Sequence, residues 1–307
     1  MLIQKFTTLF KDVTRQGTKI PKEEYLTHGK NIIIDQGQDI IAGYTNCEDG
    51  IFKKIPAIVF GDHTRIIKYV DTPFFLGADG VKVLKCTDKN ANYRYLYYAL
   101  KNAHIPNTGY NRHFKWLKEI TINYPDKNRQ NDIVNILDKL EYIIKMKSQE
   151  LDKFDELIKA RFVEMFGDPQ DSKSKWKKST IEKCCTLKSG KTLPRNIENE
   201  GGNIPYVKVK DMNSLENTTY ITTSTRFVSD KTANKSIFPV GTVIFPKRGG
   251  AIGTNKKRLT KVPICADLNI MGVIPDNTRI SSYYLFEYFN MVDLNTLNNG
   301  SSVPQIN

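Results

Sequence analysis

The segment Ser189-Gly-Lys-Thr192 has the residue types of a phosphate-binding loop, in which glycine amides and a lysine surround a phosphate. Such a loop needs a glycine five positions before Gly190, where this chain has Cys185, and no strand is predicted to lead cleanly into the segment. The glycines of 249–253 are too closely spaced for a dinucleotide-binding fingerprint. The Asn/Asp-Pro-Pro-Tyr/Phe segment with which amino-methyltransferases bind a flipped base is missing from the sequence. We therefore expect neither a nucleotide site nor methyl transfer in this chain.

The titratable residues also lack the spacing of a catalytic or metal site. The acids Glu141 and Glu150 lie on a predicted helix and not on strands beside Asp126, which argues against a nuclease site. The five cysteines have no zinc-ligand spacing, and we expect reduced thiols. The four histidines are His28, His63, His104 and His113. None of them has a carboxylate or a cysteine at the spacing of a metal site. The sequence predicts no catalytic and no metal-binding residue, and thus a protein that recognises its target without chemistry.

The chain is strongly basic, and its cations are unevenly distributed. Lysine and arginine total 46 against 33 aspartate and glutamate, which gives a net charge of +13 in 307 residues. Basic side chains among glycines can approach phosphates, so the acid-free segment between Phe245 and Val262 predicts contacts with a polyanion such as duplex DNA. A solvated, mobile loop is the alternative. The cations of this segment are Lys247, Arg248, Lys256, Lys257, Arg258 and Lys261.

Two stretches of the sequence have the same order of elements. Each has an apolar strand with glycine, a second apolar strand, a helix rich in tyrosine and leucine, and a loop with asparagine and glycine. Two copies of one module on a spacer predict contact with two similar targets, and duplex DNA offers such paired sites. The elements lie at 55–61, 79–84, 93–98 and 107–113 in the first stretch and at 239–245, 267–273, 283–288 and 298–303 in the second.

A long amphipathic helix is predicted between the copies, with Asp126 as its N-cap and Gly167 and Pro169 at its end. Apolar residues recur in alternating steps of four and three, which is typical of a coiled coil. A helix of about 40 residues is roughly 60 Å long. Its narrow apolar seam needs a second helix to be buried. We expect this seam to consist of Ile133, Leu137, Leu140, Ile144, Leu151, Phe154, Ile158 and Met165.

These elements divide the chain into a first module (1–124), a spacer helix (125–168) and a second module (169–307). The predicted fold class is α+β, with two similar α/β domains joined by a long coiled-coil-type helix. The second copy stops where the first reaches Arg112 and His113, so it lacks a closing strand and a second long helix; an artificial end and a natural truncation both remain open. No apolar run approaches the roughly 20 residues that span a bilayer. The early charges exclude a secretory signal, and we expect a cytoplasmic protein.

Two smaller features of the modules have a structural and a functional interpretation. Asp62 and His63 follow a glycine and are predicted to form a turn in which Asp62 satisfies the backbone, with a DNA contact as the alternative. The tyrosines of the two predicted helices are expected to be core residues and not surfaces for base stacking. They are Tyr95, Tyr97, Tyr98, Tyr283, Tyr284 and Tyr288.

The order of these motifs resembles the specificity subunit of type I restriction–modification systems. The spacer is similar to the family's first central helix at Pro125, Gln130, Ile133, Leu137 and the exit 162–169. Each motif is degenerate, but their order and the 3.5-residue period make the resemblance specific, and it covers essentially the whole chain. The typical motifs of the second copy lie at Trp176, 187–192, 202–207, 210–211, 241–245, 248–253 and 300–304, and the variant motifs of the first copy at 41–44, 60–61, 77–80 and 109–112.

The resemblance implies that each module is a target recognition domain, which binds one half of a split sequence in duplex DNA. Two modification subunits would methylate adenine with S-adenosylmethionine, and a motor-nuclease restriction subunit would join them. S-adenosylmethionine, ATP and Mg are therefore expected only on partner subunits, with no cofactor and no membrane contact for this chain. The residues that we expect to bind DNA, most of them cations, are Lys19, His63, Arg65, Arg112, Lys188, Lys191, Arg195, Lys208, Lys210, Lys247, Arg248, Lys256, Lys257 and Arg258.

Three alternatives remain open from the sequence. The missing second helix puts docking of the modification subunits in doubt. A homodimer through the seam, or a helix supplied by another chain, would take the place of that helix. A truncated, silent or phase-variable specificity cassette with impaired docking is the second functional hypothesis. A stand-alone fused restriction–methylation enzyme is the third, against which the missing methyltransferase motif argues.

Overall fold

The computed structural model describes residues 2–77, 79–169, 171, 176, 178–234, 236–300 and 303–306. The chain forms two compact units, Met1–Ser148 (unit 1) and Gln149–Asn307 (unit 2). The boundary lies inside the long helix, so the boundaries 1–124, 125–168 and 169–307 stay a prediction. Much of the predicted basic linker and part of the 300–304 motif lie outside the described residues. None of the helices in the described part combines the length and the apolar character needed to cross a membrane.

Unit 1 contains three sheets, with short helices between them. Its helices are α1 (Phe6–Leu9), α2 (Tyr93–Lys101), α3 (Phe114–Leu117) and the first part of α4 (Lys127–Phe166), with 3-10 helices at Thr14–Gln16 and Lys22–Glu24. Its strands are β1 (Leu2–Lys5), β2 (Phe10–Asp12), β3 (Asn31–Ile34), β4 (Gly43–Thr45), β5 (Ala57–Gly61), β6 (Ile67–Val70), β7 (Phe74–Leu76), β8 (Val81–Cys86) and β9 (Thr121–Tyr124). The strand orders are β2-β8-β5-β6, β4-β3-β7 and β1-β9.

Strand β5 is the centre of the core of unit 1, and all of its residues are buried. Side chains alternate between the two faces of a strand, so both faces of β5 must be covered. Ile58 and Phe60 belong to the hydrophobic cluster that includes α2, whereas Ala57 and Val59 belong to a second cluster with β7. This double coverage explains why the β5 sequence is continuously apolar and does not alternate with polar residues.

The described residues of unit 2 form two sheets, with strand orders β10-β17-β14-β15-β12 and β13-β11-β16. Its strands are β10 (Cys185–Ser189), β11 (Ile204–Val207), β12 (Tyr220–Ile221), β13 (Phe227–Val228), β14 (Val243–Pro246), β15 (Arg258–Thr260), β16 (Cys265–Ala266) and β17 (Ile270–Pro275). Its helices, besides the end of α4, are α5 (Ile181–Cys184), α6 (Asp230–Ala233) and α7 (Ser282–Met291), with 3-10 helices at Asp211–Asn213, Leu215–Asn217, Gly249–Thr254 and Leu294–Leu297.

The two units share one topology. The order β2-β8-β5-β6 in unit 1 corresponds to β10-β17-β14-β15 in unit 2, and α2 and α7 follow the equivalent strands β8 and β17. In the smaller sheets, β3 pairs antiparallel with β4 and parallel with β7, just as β11 pairs with β13 and β16. The backbone N–H of His113 donates to the Asp62 carbonyl, and that of Ile306 donates to the Lys247 carbonyl. This equivalence confirms the predicted duplication.

Helix α4 begins and ends at the predicted residues. The Asp126 carboxylate accepts a hydrogen bond from the Arg129 N–H at 3.0 Å, which caps the helix. At the other end, Gly167 has a φ of +80° and its N–H donates to the Val163 carbonyl, an arrangement that favours glycine and ends the helix.

Most of the predicted seam of α4 is exposed. Ile133 and Leu137 pack against the core of unit 1. The remaining side chains are between 48 % and 68 % exposed, although they are apolar, so most of the stripe is not buried by the chain itself. The exposed seam residues are Leu140, Ile144, Leu151, Phe154, Ile158 and Met165.

Two sequence predictions are corrected here. Strand β10 leads directly into Gly190, so the expectation that no clean strand precedes this segment is wrong. The amides of Gly190 and Lys191 nevertheless donate to the carbonyls of Ile270 and Ala266, and are therefore occupied within the fold. The core prediction is also wrong for Tyr283, which is 57 % exposed. Tyr95 and Tyr98 are buried as predicted, and Tyr97, Tyr284 and Tyr288 are half-buried.

Candidate nucleic-acid interface

Loops converge at one edge of the larger sheet in each unit, and we call this the loop edge. The end of β5 pairs with the start of β8, and the start of β6 lies beside it. The loops that follow β5 and precede β6 and β8 must therefore lie close together at this edge. In unit 1 the loop edge comprises residues 62–66, 79–80 and 107–112, together with Lys19 and Gln36, which contact it. In unit 2 it comprises 190–192, 208–217, 247–257, 267–269 and 298–300, which adjoin the equivalent strand ends.

The predicted DNA-binding residues of unit 1 all lie at this edge. The Lys19 ammonium is 2.7 Å from the Asp79 carboxylate, and both side chains are well exposed. The hydrogen bond and charge of Lys19 lower the pKa of Asp79, with smaller contributions from Arg112 and His63. Arg65 lies in the turn between β5 and β6. These groups carry more positive than negative charge at one surface, as a phosphate contact requires.

The turn after β5 is tied to the loop before α3 by buried groups. The Asp62 carboxylate accepts from the Phe114 N–H at 2.7 Å, so the prediction that it satisfies its own turn is wrong. The fully buried His113 ring bonds the Asp62 carbonyl through Nδ1 and the Thr108 N–H through Nε2. Since a carbonyl only accepts, Nδ1 carries the proton. The guanidinium of Arg65 also donates to the Ile105 carbonyl, which fixes the same loop.

The loop edge of unit 2 is more basic than that of unit 1. The Lys247 ammonium donates to the Ser189 hydroxyl at 2.8 Å, and burial together with the neighbouring Arg248 lowers its pKa. Asp211 and Asp267 also belong to this loop edge, but both are buried and accept hydrogen bonds from within the unit. Among the described residues, no acid forms an ion pair with the cations Lys191, Lys210, Lys247, Arg248 and Lys256. Lys191 and Lys210 are exposed and can reach an external anion, whereas Lys247 is only 7 % exposed.

Three of the predicted contacts instead stabilise the fold of unit 2. Lys257 is only 4 % exposed, and its ammonium donates to the Val292 carbonyl. Arg258 donates to backbone carbonyls on the preceding 3-10 segments and on Lys257. Lys188 donates to the Ile237 carbonyl and lies 5.3 Å from the centre of the Phe238 ring. We therefore assign Lys188, Lys257 and Arg258 to folding. Lys247, which is also buried and donates to Ser189, is likewise held within the unit, and the other cations are retained as candidate contacts.

Arg195 and Lys208 belong to a second group of charges beside the loop edge of unit 2. The Lys208 ammonium is 2.5 Å from the Glu198 carboxylate, and Arg226 lies 3.5 Å from the same acid. The hydrogen bond from Lys208 is the main cause of the lowered pKa of Glu198, to which Arg195 also contributes. Three cations thus share one acid, so the group keeps a positive charge.

An aromatic pair at the loop edge of unit 1 was not predicted from the sequence. The rings of His63 and Tyr110 are stacked with centroids 4.9 Å apart and an angle of 11° between their planes. Tyr110 is 88 % exposed. The signal that could have indicated it is the preceding Gly109, which has a φ of +78° and turns the chain sharply.

One fold repeated twice, with a basic loop edge in each copy, defines a class of two-domain proteins in which each domain presents a positively charged edge. The family model described as "Type I restriction modification DNA specificity domain" matches residues 8–153 and again residues 173–307. The chain belongs to this family, as the motifs predicted.

Two known proteins show the extent of the similarity. The chain is 25 % identical over 274 residues to the type I restriction enzyme EcoR124I/EcoR124II specificity subunit of Escherichia coli, a match that covers 82 % of this chain and 65 % of that protein. The chain thus spans less than two thirds of the length of this relative. The crystal structure of the S subunit of a type I restriction-modification system from M. genitalium matches with a TM-score of 0.53 and 19 % identity, over 94 % of this chain and 77 % of that one. This match supports the predicted fold class.

Proposed function

We propose that this chain is the DNA-binding specificity subunit of a type I restriction–modification complex. Each unit binds one half of a bipartite duplex target, and partner subunits methylate or cleave the DNA. The observation that carries the proposal is that the specificity-domain family matches twice, on two units of equivalent topology. The chain itself performs no catalysis in this proposal.

The chemistry of the two loop edges supports DNA as the ligand. Lysine and arginine contacts to phosphates supply affinity without sequence information, whereas base edges in the grooves supply specificity. Lys191 and Lys210 are exposed cations suited to phosphates. Asn111 and Asn269 are exposed amides on the same edges, and an amide side chain can donate to and accept from a base at once. The edges of the two units differ in sequence, so the two half-sites should differ too.

The proposal includes the partners of this subunit. Two modification subunits carry S-adenosylmethionine and transfer its methyl group to adenine, and a restriction subunit uses ATP and Mg. No cofactor is assigned to this chain, and the complex acts in the cytoplasm, where its DNA is found. The name of the Escherichia coli relative, a specificity subunit of a restriction enzyme, supports such a division of labour.

The exposed seam of α4 supports a helical partner. We propose that a second α4, from another copy of this chain, or a helix of another subunit covers it. Leu151 and Phe154 are 65 % and 52 % exposed, and an apolar face of this extent costs free energy in water. Sedimentation of the purified chain tests the homodimer. The substitution Phe154→Glu should shift a dimer to monomer, whereas Lys153→Glu, at the neighbouring exposed position, should not; a wild-type monomer would exclude pairing between copies.

The recognition role is tested by exchanging one unit. Residues 181–300 are replaced by the equivalent segment of a family member with a different target, and methylated adenines are mapped in the host genome with each gene. Only one half of the methylated sequence should change. A host lacking the gene is the control and should lack the methylation. An unchanged methylated sequence after the exchange would show that unit 2 does not determine the target.

A further inference from the structure

The loop edge of unit 1 presents an aromatic ring to solvent in a fixed orientation. Tyr110 is the most exposed tyrosine among the described residues, and its ring packs only against the edge of the unit. Such a ring contributes little to the core. Lys19 and Arg112 are exposed on the same loop edge, and both act on Asp79 together with His63, on which the Tyr110 ring stacks. In complexes with duplex DNA, apolar side chains contact base edges such as the thymine methyl group, and neighbouring cations bind phosphates.

The loop that carries Tyr110 is ordered by its own hydrogen bonds. Gly109 donates its N–H to the Asn107 side chain at 3.2 Å, and the Asn111 side chain donates to the Thr108 carbonyl at 2.5 Å. The buried His113 holds Thr108 from below. Because the loop is held at both ends, little conformational entropy is lost when the ring binds a ligand.

His63 supports the ring from behind and is itself held in place. The backbone N–H of His63 donates to the Gln36 side-chain oxygen at 3.1 Å, and the Gln36 side-chain amide in turn donates to the Asp79 carbonyl. The His63 Nδ1 atom is buried and has no hydrogen-bond partner among the described residues. An unsatisfied buried nitrogen lowers stability, so this arrangement is better explained by the stacked pair it maintains than by folding.

We propose that Tyr110, supported by His63, is the residue with which unit 1 contacts the bases of its half-site. Its ring packs against base edges in a groove of duplex DNA, such as the thymine methyl group, while Lys19 and Arg112 bind nearby phosphates. This inference rests on the proposed function and adds a specificity-determining residue to it. The tyrosine hydroxyl is not needed for the contact, since the ring face supplies it.

The test uses the purified full-length chain and a library of random duplex DNA from which bound sequences are selected and read. The wild-type chain should enrich two separate blocks. In Tyr110→Ala, the preference for the selected base over the other bases should fall about 10-fold at one or two adjacent positions of one block, as expected for the loss of one base contact. The other block and the affinity for unselected DNA should stay within about three-fold. Tyr110→Phe should behave as wild type, because it keeps the ring.

The matched control is Tyr142→Ala, which removes another well-exposed tyrosine (65 % exposed) from α4 and should leave both blocks intact. The inference is overturned if Tyr110→Ala enriches the wild-type blocks, or if it weakens both blocks equally, as a general loss of structure would. If the wild-type chain enriches no sequence, the proposed function itself fails, and that result is distinct from a failure of Tyr110 alone.

Discussion

Replacing Arg94 with methionine should loosen helix α4 from unit 1. The Arg94 guanidinium, on α2, donates to the Asp138 carboxylate on α4 at 2.5 Å and lies 3.5 Å from that of Glu141. It also lies over the Tyr69 and Tyr98 rings, at 5.0 Å and 5.3 Å from their centres. The Tyr98 hydroxyl donates to the same carboxylates. This cluster is the polar anchor of the helix.

The contacts set the size of the effect. A charge-assisted hydrogen bond contributes about 1.5–3 kcal/mol when shielded. The Asp138 side chain is 42 % exposed, so screening reduces its ion pair with Arg94 to about 1 kcal/mol. Each cation–π contact adds about 0.5–1 kcal/mol at such a site. The substitution Arg94→Met should therefore lower the free energy of unfolding of unit 1 by about 2–3 kcal/mol.

Urea unfolding and amide hydrogen exchange measure this loss. Exchange should accelerate in the first turns of α4, around residues 130–141, and not in unit 2. Arg94→Lys keeps the positive charge but lacks the planar guanidinium, so the free energy of unfolding should fall by about half as much. Arg161→Met removes an exposed pair with Glu164 and should cost no more than about 0.5 kcal/mol. Unchanged unfolding and exchange in Arg94→Met would refute the anchor.

Three more outcomes are expected. Lys191→Gln should reduce the slope of log affinity for DNA against log salt by about 1, as the loss of one phosphate contact does; an unchanged slope would remove Lys191 from the interface. Burial lowers the pKa of Lys257 to about 8. Between pH 8 and 10.5 the Lys257 amine is therefore neutral in the folded state but still protonated in the unfolded state. The stability of the wild type should therefore rise from pH 8 to 10.5 relative to Lys257→Met in urea titrations, and parallel curves would contradict this. Gly190→Ala should destabilise by about 1–3 kcal/mol, since its Cβ would lie 2.1 Å from the Asp267 carbonyl oxygen, whereas Gly250→Ala, in open space, should not.

Sequence patterns predicted the elements whose cause is local. Apolar runs predict β5 and β14 because both faces of these strands are buried, and the capping residues Asp126 and Gly167 mark the ends of α4 through hydrogen bonds within one turn. The repeated order of these elements was enough to indicate a duplicated domain and its family.

Features that depend on distant parts of the chain were not predictable in this way. The Lys257 ammonium is buried because the Val292 carbonyl, 35 residues further along the chain, accepts from it. The stack of His63 on Tyr110 forms only when two loops meet at the end of a sheet. Basic composition alone therefore overestimated the number of cations available to DNA.

The most direct measurement is the sequence that the purified chain selects from random duplex DNA. If each unit binds one half-site, the selected duplexes should contain two short blocks separated by a constant number of unselected base pairs, and binding should weaken steeply with salt. A single continuous block, or no selected sequence at low salt, would contradict recognition by two units.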